Sequence, residues 1–186
     1  MDEISKLMIE QLKDAHSAEK QALRAMAKMM KQATNEKLRQ GFQMHIDQTE
    51  GQVERLEQAL EQLGGKPGRK VCEAMRGLIE EATHEMGEYD KGTTMDVVLI
   101  ASAQRIEHYE IAAYGTMATL AKSAGQQELA RLLGTTLGEE KRMDEELTRI
   151  AESEVNPAWI EECRSAAQEM EGANENRRGG TRRRAS

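Results

Sequence analysis

Glu107 and Glu110 stand where oily side chains belong. Residues 99–121 read Leu-Ile-Ala-Ser-Ala-Gln-Arg-Ile-Glu-His-Tyr-Glu-Ile-Ala-Ala-Tyr-Gly-Thr-Met-Ala-Thr-Leu-Ala. At 3.6 residues per turn the inward stripe runs Ala103, Glu107, Glu110, Tyr114, Met117, Ala121. A buried carboxylate without a counter-charge costs several kcal/mol, so two neighbours call for positive charge close by. This face carries no lysine, and a bound metal cation meets the same need.

Three other stretches repeat the anomaly. Glu19 is the one polar member of Ile4, Met8, Leu12, Ala15, Glu19, Leu23, Met26, Met30; His45 interrupts Leu38, Phe42, Thr49, Val53, Leu56, Leu60, Leu63. Glu140 and Asp144 interrupt Ala130, Leu133, Leu137, Leu147, Ala151. One such residue alone is the ordinary result of a misjudged helix phase, but four stripes broken at comparable depth point to a shared chamber. The candidate ligands are therefore Glu19, His45, Glu107, Glu110, Glu140 and Asp144. Five carboxylates and one imidazole suit two divalent cations of hard or borderline character, iron ahead of manganese, rather than zinc held by thiolates. The known four-helix design for such a pair uses two lone Glu and two Glu-x-x-His pairs. Here Glu107-x-x-Glu110 is present, His45 is followed by Gln48, and Asp144 stands four residues after Glu140. Asp47-x-x-Glu50 points away from the Phe42/Thr49/Leu56 face, to solvent. His108 falls about 100° from Glu107, outside the ligand set.

Four long helices must position these groups. They span about 4–31, 35–63, 93–123 and 126–154, with Thr34 or Asn35 capping the second and threonines at 93–94 the third. Short connections make antiparallel hairpins of the first and last pairs. Gly64-Gly65-Lys66-Pro67-Gly68 ends the second helix, and residues 70–92, with a short helix through Val71, Met75, Leu78, Ile79 and Ala82, form the long crossover typical of ferritin-like bundles. Asn156-Pro157 reads as a cap and first-turn proline of a fifth, shorter helix. The expected organisation is an all-α four-helix bundle over 1–155, a helix over 156–172 and a disordered basic tail over 173–186.

Composition agrees. The 186 residues include 2 prolines and 3% aromatics, which disfavours strands, and the net charge of −7 argues against nucleic-acid binding by the folded body. The exception is the tail, where Arg177, Arg178 and Arg182–Arg184 could grip nucleic acid or an acidic partner. No apolar run reaches a membrane-spanning length, and the N-terminus lacks a signal-peptide pattern. Cys72 and Cys163, without CxxC spacing, fit a reducing cytoplasm and no disulfide.

Asp14-Ala-His-Ser-Ala-Glu-Lys-Gln-Ala-Leu23, His45-x-x-Gln-Thr49, Gly77-Leu-Ile-Glu-Glu-Ala82, Ala103-Gln-Arg-Ile-Glu-His-Tyr-Glu-Ile-Ala-Ala-Tyr-Gly115 and Glu139-Glu-Lys141 resemble the bacterial YciE/YciF family. That family comprises ferritin-like, rubrerythrin-related stress proteins, and the resemblance spans residues 4–152. It implies a dimetal centre within the bundle, a homodimer, and the six ligands named above, with Gln48 where relatives often carry Glu. The resulting expectation is a stress-associated dimetal protein that reduces peroxide or oxygen. Metal sequestration with ferroxidase chemistry, or a non-catalytic interaction module with a vestigial site, are the alternatives.

Overall fold

The computed structural model describes the backbone of residues 2–182 and the side chains through residue 172. Six helices follow in order: α1 Glu3–Gln32, α2 Glu36–Gln62, α3 Glu73–Gly87, α4 Thr93–Ser123, α5 Gln127–Ile150 and α6 Asn156–Arg182, with a π turn, Ala151–Val155, between the last two. Among the described residues there is no strand, and no helix is long and apolar enough to cross a membrane.

Local chemistry sets the boundaries. Asp2 accepts the Ser5 amide at 2.8 Å and Asn35 accepts that of Leu38 at 3.0 Å, each occupying an otherwise orphaned donor of a first turn. Gly64 (φ 72°) and Gly125 (φ 77°) end α2 and α5's predecessor α4 in the left-handed region. The following amides turn back to satisfy the last carbonyls: Gly65 N–H to Leu60 and Gln126 N–H to Ala121, each 2.9 Å or shorter. The residue before α4 is Gly92, without a side-chain cap, so the threonines expected to cap that helix lie inside its first turn.

α1 pairs antiparallel with α2, and α4 with α5; α3 crosses between the hairpins against α1 and α4. The apolar core is divided. One end gathers Met8, Leu12, Leu56, Leu60, Met117 and Leu133; the other gathers Met29, Leu38, Phe42, Leu99, Met143 and Leu147. Under α3 lies a third cluster of Ala18, Ala22, Met26, Cys72, Met75 and Ile106. Asp96 fastens the far end: its carboxylate accepts the amides of Thr34 and Asn35 at 2.7 and 2.9 Å and the Thr34 hydroxyl at 2.5 Å. Cys72 and Cys163 are unpaired, the first buried and the second exposed.

Two sequence expectations need revision. Asn156 does not cap a new helix; it is helical itself, and its N–H bonds Ala151 O across the π turn. The wider turn sits where the Pro157 ring would otherwise press on the Ser153 carbonyl. α6 also continues to Arg182, beyond the boundary at 172 that its apolar stripe suggests. Residues 183–186 of the expected tail, and the side chains of its arginines, lie outside the described residues.

Candidate metal centre

Between the two apolar ends the bundle turns polar. α1 contributes Glu19, α2 His45, α4 Glu107 and Glu110, and α5 Glu140, all with 2% or less of their surface exposed. Each sits mid-helix, where helical hydrogen bonding is complete and no backbone group is free to serve these carboxylates.

His45, Glu107, Glu110 and Glu140 each offer one donor atom, and the four donors lie within 4.8 Å of one another. His45 Nε2 is 3.3 Å from both Glu107 Oε1 and Glu140 Oε2. One ring nitrogen carries one proton at most, so it cannot serve both. On the other side of the ring Gln48 Oε1 is 3.3 Å from Nδ1. With Nδ1–H donated to Gln48 Oε1, Nε2 is the nitrogen that faces the acids: it carries a proton toward them in the metal-free chamber and would give that proton up to bind a cation. Glu19 extends the cluster, its Oε1 accepting the Tyr114 hydroxyl at 2.5 Å.

The charges do not balance from within. Glu19 Oε2, Glu107 Oε2, Glu110 Oε1 and Glu140 Oε2 are buried without a hydrogen-bond partner. Among the described residues, the only ion-pair partner of any of these acids is His45. Burial, reinforced by the Glu140 charge, pushes Glu19 up to about 8; burial likewise pushes Glu107 to about 7 against the pull of His45. Glu110 is driven well above the carboxylate range by burial and then by Glu19 and Glu140. Burial works against the charged form of His45, yet Glu107 and Glu140 together hold it well above the ordinary imidazole value. A set of carboxylates with one imidazole and four orphaned oxygens fits a hard or borderline cation.

Asp144 is not part of this cluster. It is 21% exposed and faces Gln104 Nε2 at 3.0 Å and His108 Nε2 at 3.3 Å. The inward stripe of α5 is Leu129, Leu133, Thr136, Glu140, Met143, Leu147 and Ile150, so the buried neighbour of Glu140 is Met143, three residues on. The expected stripe shares Leu133, Glu140 and Leu147 with this one but leans toward the α4 side of the helix. Asp47 and Glu50 are exposed, as their spacing predicts, and His108 is 69% exposed.

Gln52 escaped the sequence reading. It is fully buried, and its amide nitrogen donates to Glu140 Oε1 at 2.5 Å and Glu139 Oε2 at 3.1 Å. The signal was the spacing His45, Thr49, Gln52, Leu56, against which Val53 offered a more apolar choice. Arg55 in turn pairs with Glu139 and donates to Thr136 Oγ1 at 3.0 Å.

Known proteins supply the comparison. The profile of DUF892, a domain of unknown function, matches residues 3–159. Protein YciF of Escherichia coli (strain K12) is 47% identical over 157 residues, 84% of this chain and 95% of YciF. The crystal structure of that E. coli stress protein matches with a TM-score of 0.78, covering 84% of this chain and 99% of the other. YcfI from Rhodopseudomonas palustris is 40% identical with a TM-score of 0.76, over 80% of this chain and 94% of that one. Ferritin-like, diiron-carboxylate proteins from Bacillus anthracis str. Ames are 19% identical with a TM-score of 0.60, over 81% and 99% of the two chains; that likeness is one of fold.

Proposed function

The chain belongs to the DUF892 family, and from that premise we propose that its buried cluster holds two divalent ions, iron or manganese, and reduces peroxide or oxygen. The observation that carries this reading is the set of four buried carboxylate oxygens without partners, one each from Glu19, Glu107, Glu110 and Glu140. His45, Glu107, Glu110 and Glu140 would hold the first cation, and Glu19 with Glu107 and Glu110 the second. When bound, a redox-active pair would supply two electrons which, with two protons, reduce peroxide to two waters.

The protein's own part is preparation. Glu19 and Glu107 keep protons near neutral pH in the metal-free chamber, and cations must displace them, so loading releases acid. Tyr114 pins Glu19 through its hydroxyl, and Gln48 fixes the imidazole. The apolar clusters above and below exclude bulk water. A homodimer in the cytoplasm completes the reading; the two unpaired cysteines suit that reducing compartment.

Protein prepared without oxygen should bind about two equivalents of iron or manganese, as the paired-carboxylate design requires. Glu107→Ala with Glu140→Ala should abolish that binding, and unchanged metal content in the double variant refutes the assignment. Repeated peroxide consumption with an added reductant distinguishes turnover from sequestration, which stops once the bound metal is oxidised.

A further inference from the structure

Glu139 and Glu140 are consecutive acids on α5 with different surroundings. Glu139 reaches the α2–α5 seam, 15% exposed, and is neutralised by the Arg55 guanidinium. Glu140 is wholly buried and its Oε1 is taken by Gln52, while Oε2, the oxygen facing His45 Nε2, has no hydrogen bond. The two N–H bonds of a single amide, Gln52, divide between the two acids and hold them apart. A primary amide has two donors, so this use exhausts them and leaves Gln52 Oε1 buried and unpartnered.

We propose that Gln52 is a positioning residue of the metal centre: by occupying Glu140 Oε1 it makes Glu140 a one-oxygen ligand through Oε2, and Arg55, acting through Glu139, holds Gln52 in that pose. The inference rests on the metal reading above and adds to it the groups that determine how one ligand binds. Methionine at position 52 keeps the length and removes both donors, freeing Glu140 to rotate or to chelate through both oxygens. Orienting partners of this kind typically change metal affinity about 10- to 100-fold.

The test compares wild type, Gln52→Met, Arg55→Met and the double variant. Manganese affinity is measured by chelator competition, the visible spectrum with cobalt(II) reports ligand number, and thermal unfolding is followed without metal. Gln52→Met should weaken manganese binding by about 10-fold or more and alter the cobalt spectrum. Arg55→Met should produce a smaller loss, and the double variant should match Gln52→Met alone, because both act along one chain of contacts. A purely structural role would shift metal-free unfolding but leave the spectrum untouched. Wild-type affinity and spectrum in Gln52→Met overturn the inference while leaving the metal centre standing; failure of the wild type to bind either ion overturns both. If Gln52→Met does not fold, Arg55→Met decides: unchanged affinity and spectrum overturn the proposal, and a weakened, spectrally altered site supports it.

Discussion

Raising the pH should destabilise the metal-free protein and leave the metal-loaded protein nearly unaffected. Glu19 moves from its ordinary 4.5 to about 8 on folding and Glu107 from 4.5 to about 7, so between those values the folded chain binds more protons than the unfolded one. Stability then falls as pH rises, beginning above about 4.5; the Glu19 and Glu107 contributions are spent once both are ionised above about 8, and Glu110, also raised by burial, adds a loss of the same sign. His45, held well above its usual value, works in the same direction: its contribution is complete below about 6.5 and is lost as pH climbs through its raised value. Each pH unit between ordinary and perturbed value corresponds to about 1.4 kcal/mol, so ionising the chamber costs on the order of 3–5 kcal/mol per acid. Against a typical total of about 5–15 kcal/mol, that brings the metal-free bundle close to unfolding in mild alkali. The assay is urea unfolding of chelator-treated and manganese-loaded protein from pH 5 to 9. The metal-free midpoint should drop steadily across the range, and the stabilisation by metal should grow with pH as protons cease to compete. Equal metal-free stability at pH 5.5 and 8.5, or a metal increment independent of pH, refutes the reasoning.

The remaining outcomes concern residues on either side of the chamber. Asp144→Asn should leave metal stoichiometry intact and change stability by less than about 1 kcal/mol, since its contacts are with Gln104 and His108 near the surface; metal analysis with urea unfolding checks both. Asp96→Ala strips three hydrogen bonds from a side chain that is 3% exposed and should cost about 2–4 kcal/mol, with Asp96→Asn losing less because one acceptor survives. A lowered midpoint with unaltered metal content is the expected signature of Asp96, which fastens the end of the bundle and touches none of the proposed ligands.

Periodicity made α4 legible because its whole stripe is unambiguous: Ala103, Glu107, Glu110, Tyr114, Met117 and Ala121 are all buried. The phase of α5 was not, since Ala130 and Leu137 look as core-like in one dimension as Leu129 and Thr136, and only packing against α4 chooses between them. That choice removed Asp144 from the chamber. Gln52 was hidden for a related reason: hydropathy ranks Val53 above it, and its importance lies in partners on another helix, Glu139 and Glu140. Tyr114 was visible as a stripe member, but its bond to Glu19 joins helices 95 positions apart in the chain. Ile4, counted with the inward face of α1, is 48% exposed because it lies at the open end of that helix. The π turn left no compositional trace beyond Pro157, which in sequence reads as a beginning and in space marks a widening.

A core broken by a band of acids reverses the usual geography of breathing motion. Isolated helices loosen first at their ends, but here an apolar cluster lies on either side of the acids, and the weak point of the metal-free core should be the waist around Glu19, His45, Glu107 and Glu140. Amide hydrogens near the middle of α1, α2, α4 and α5 should therefore exchange faster than those near Leu12 or Leu99 when the ions are withdrawn, and slow again on their return. An empty chamber would make the molecule two short bundles sharing a soft joint.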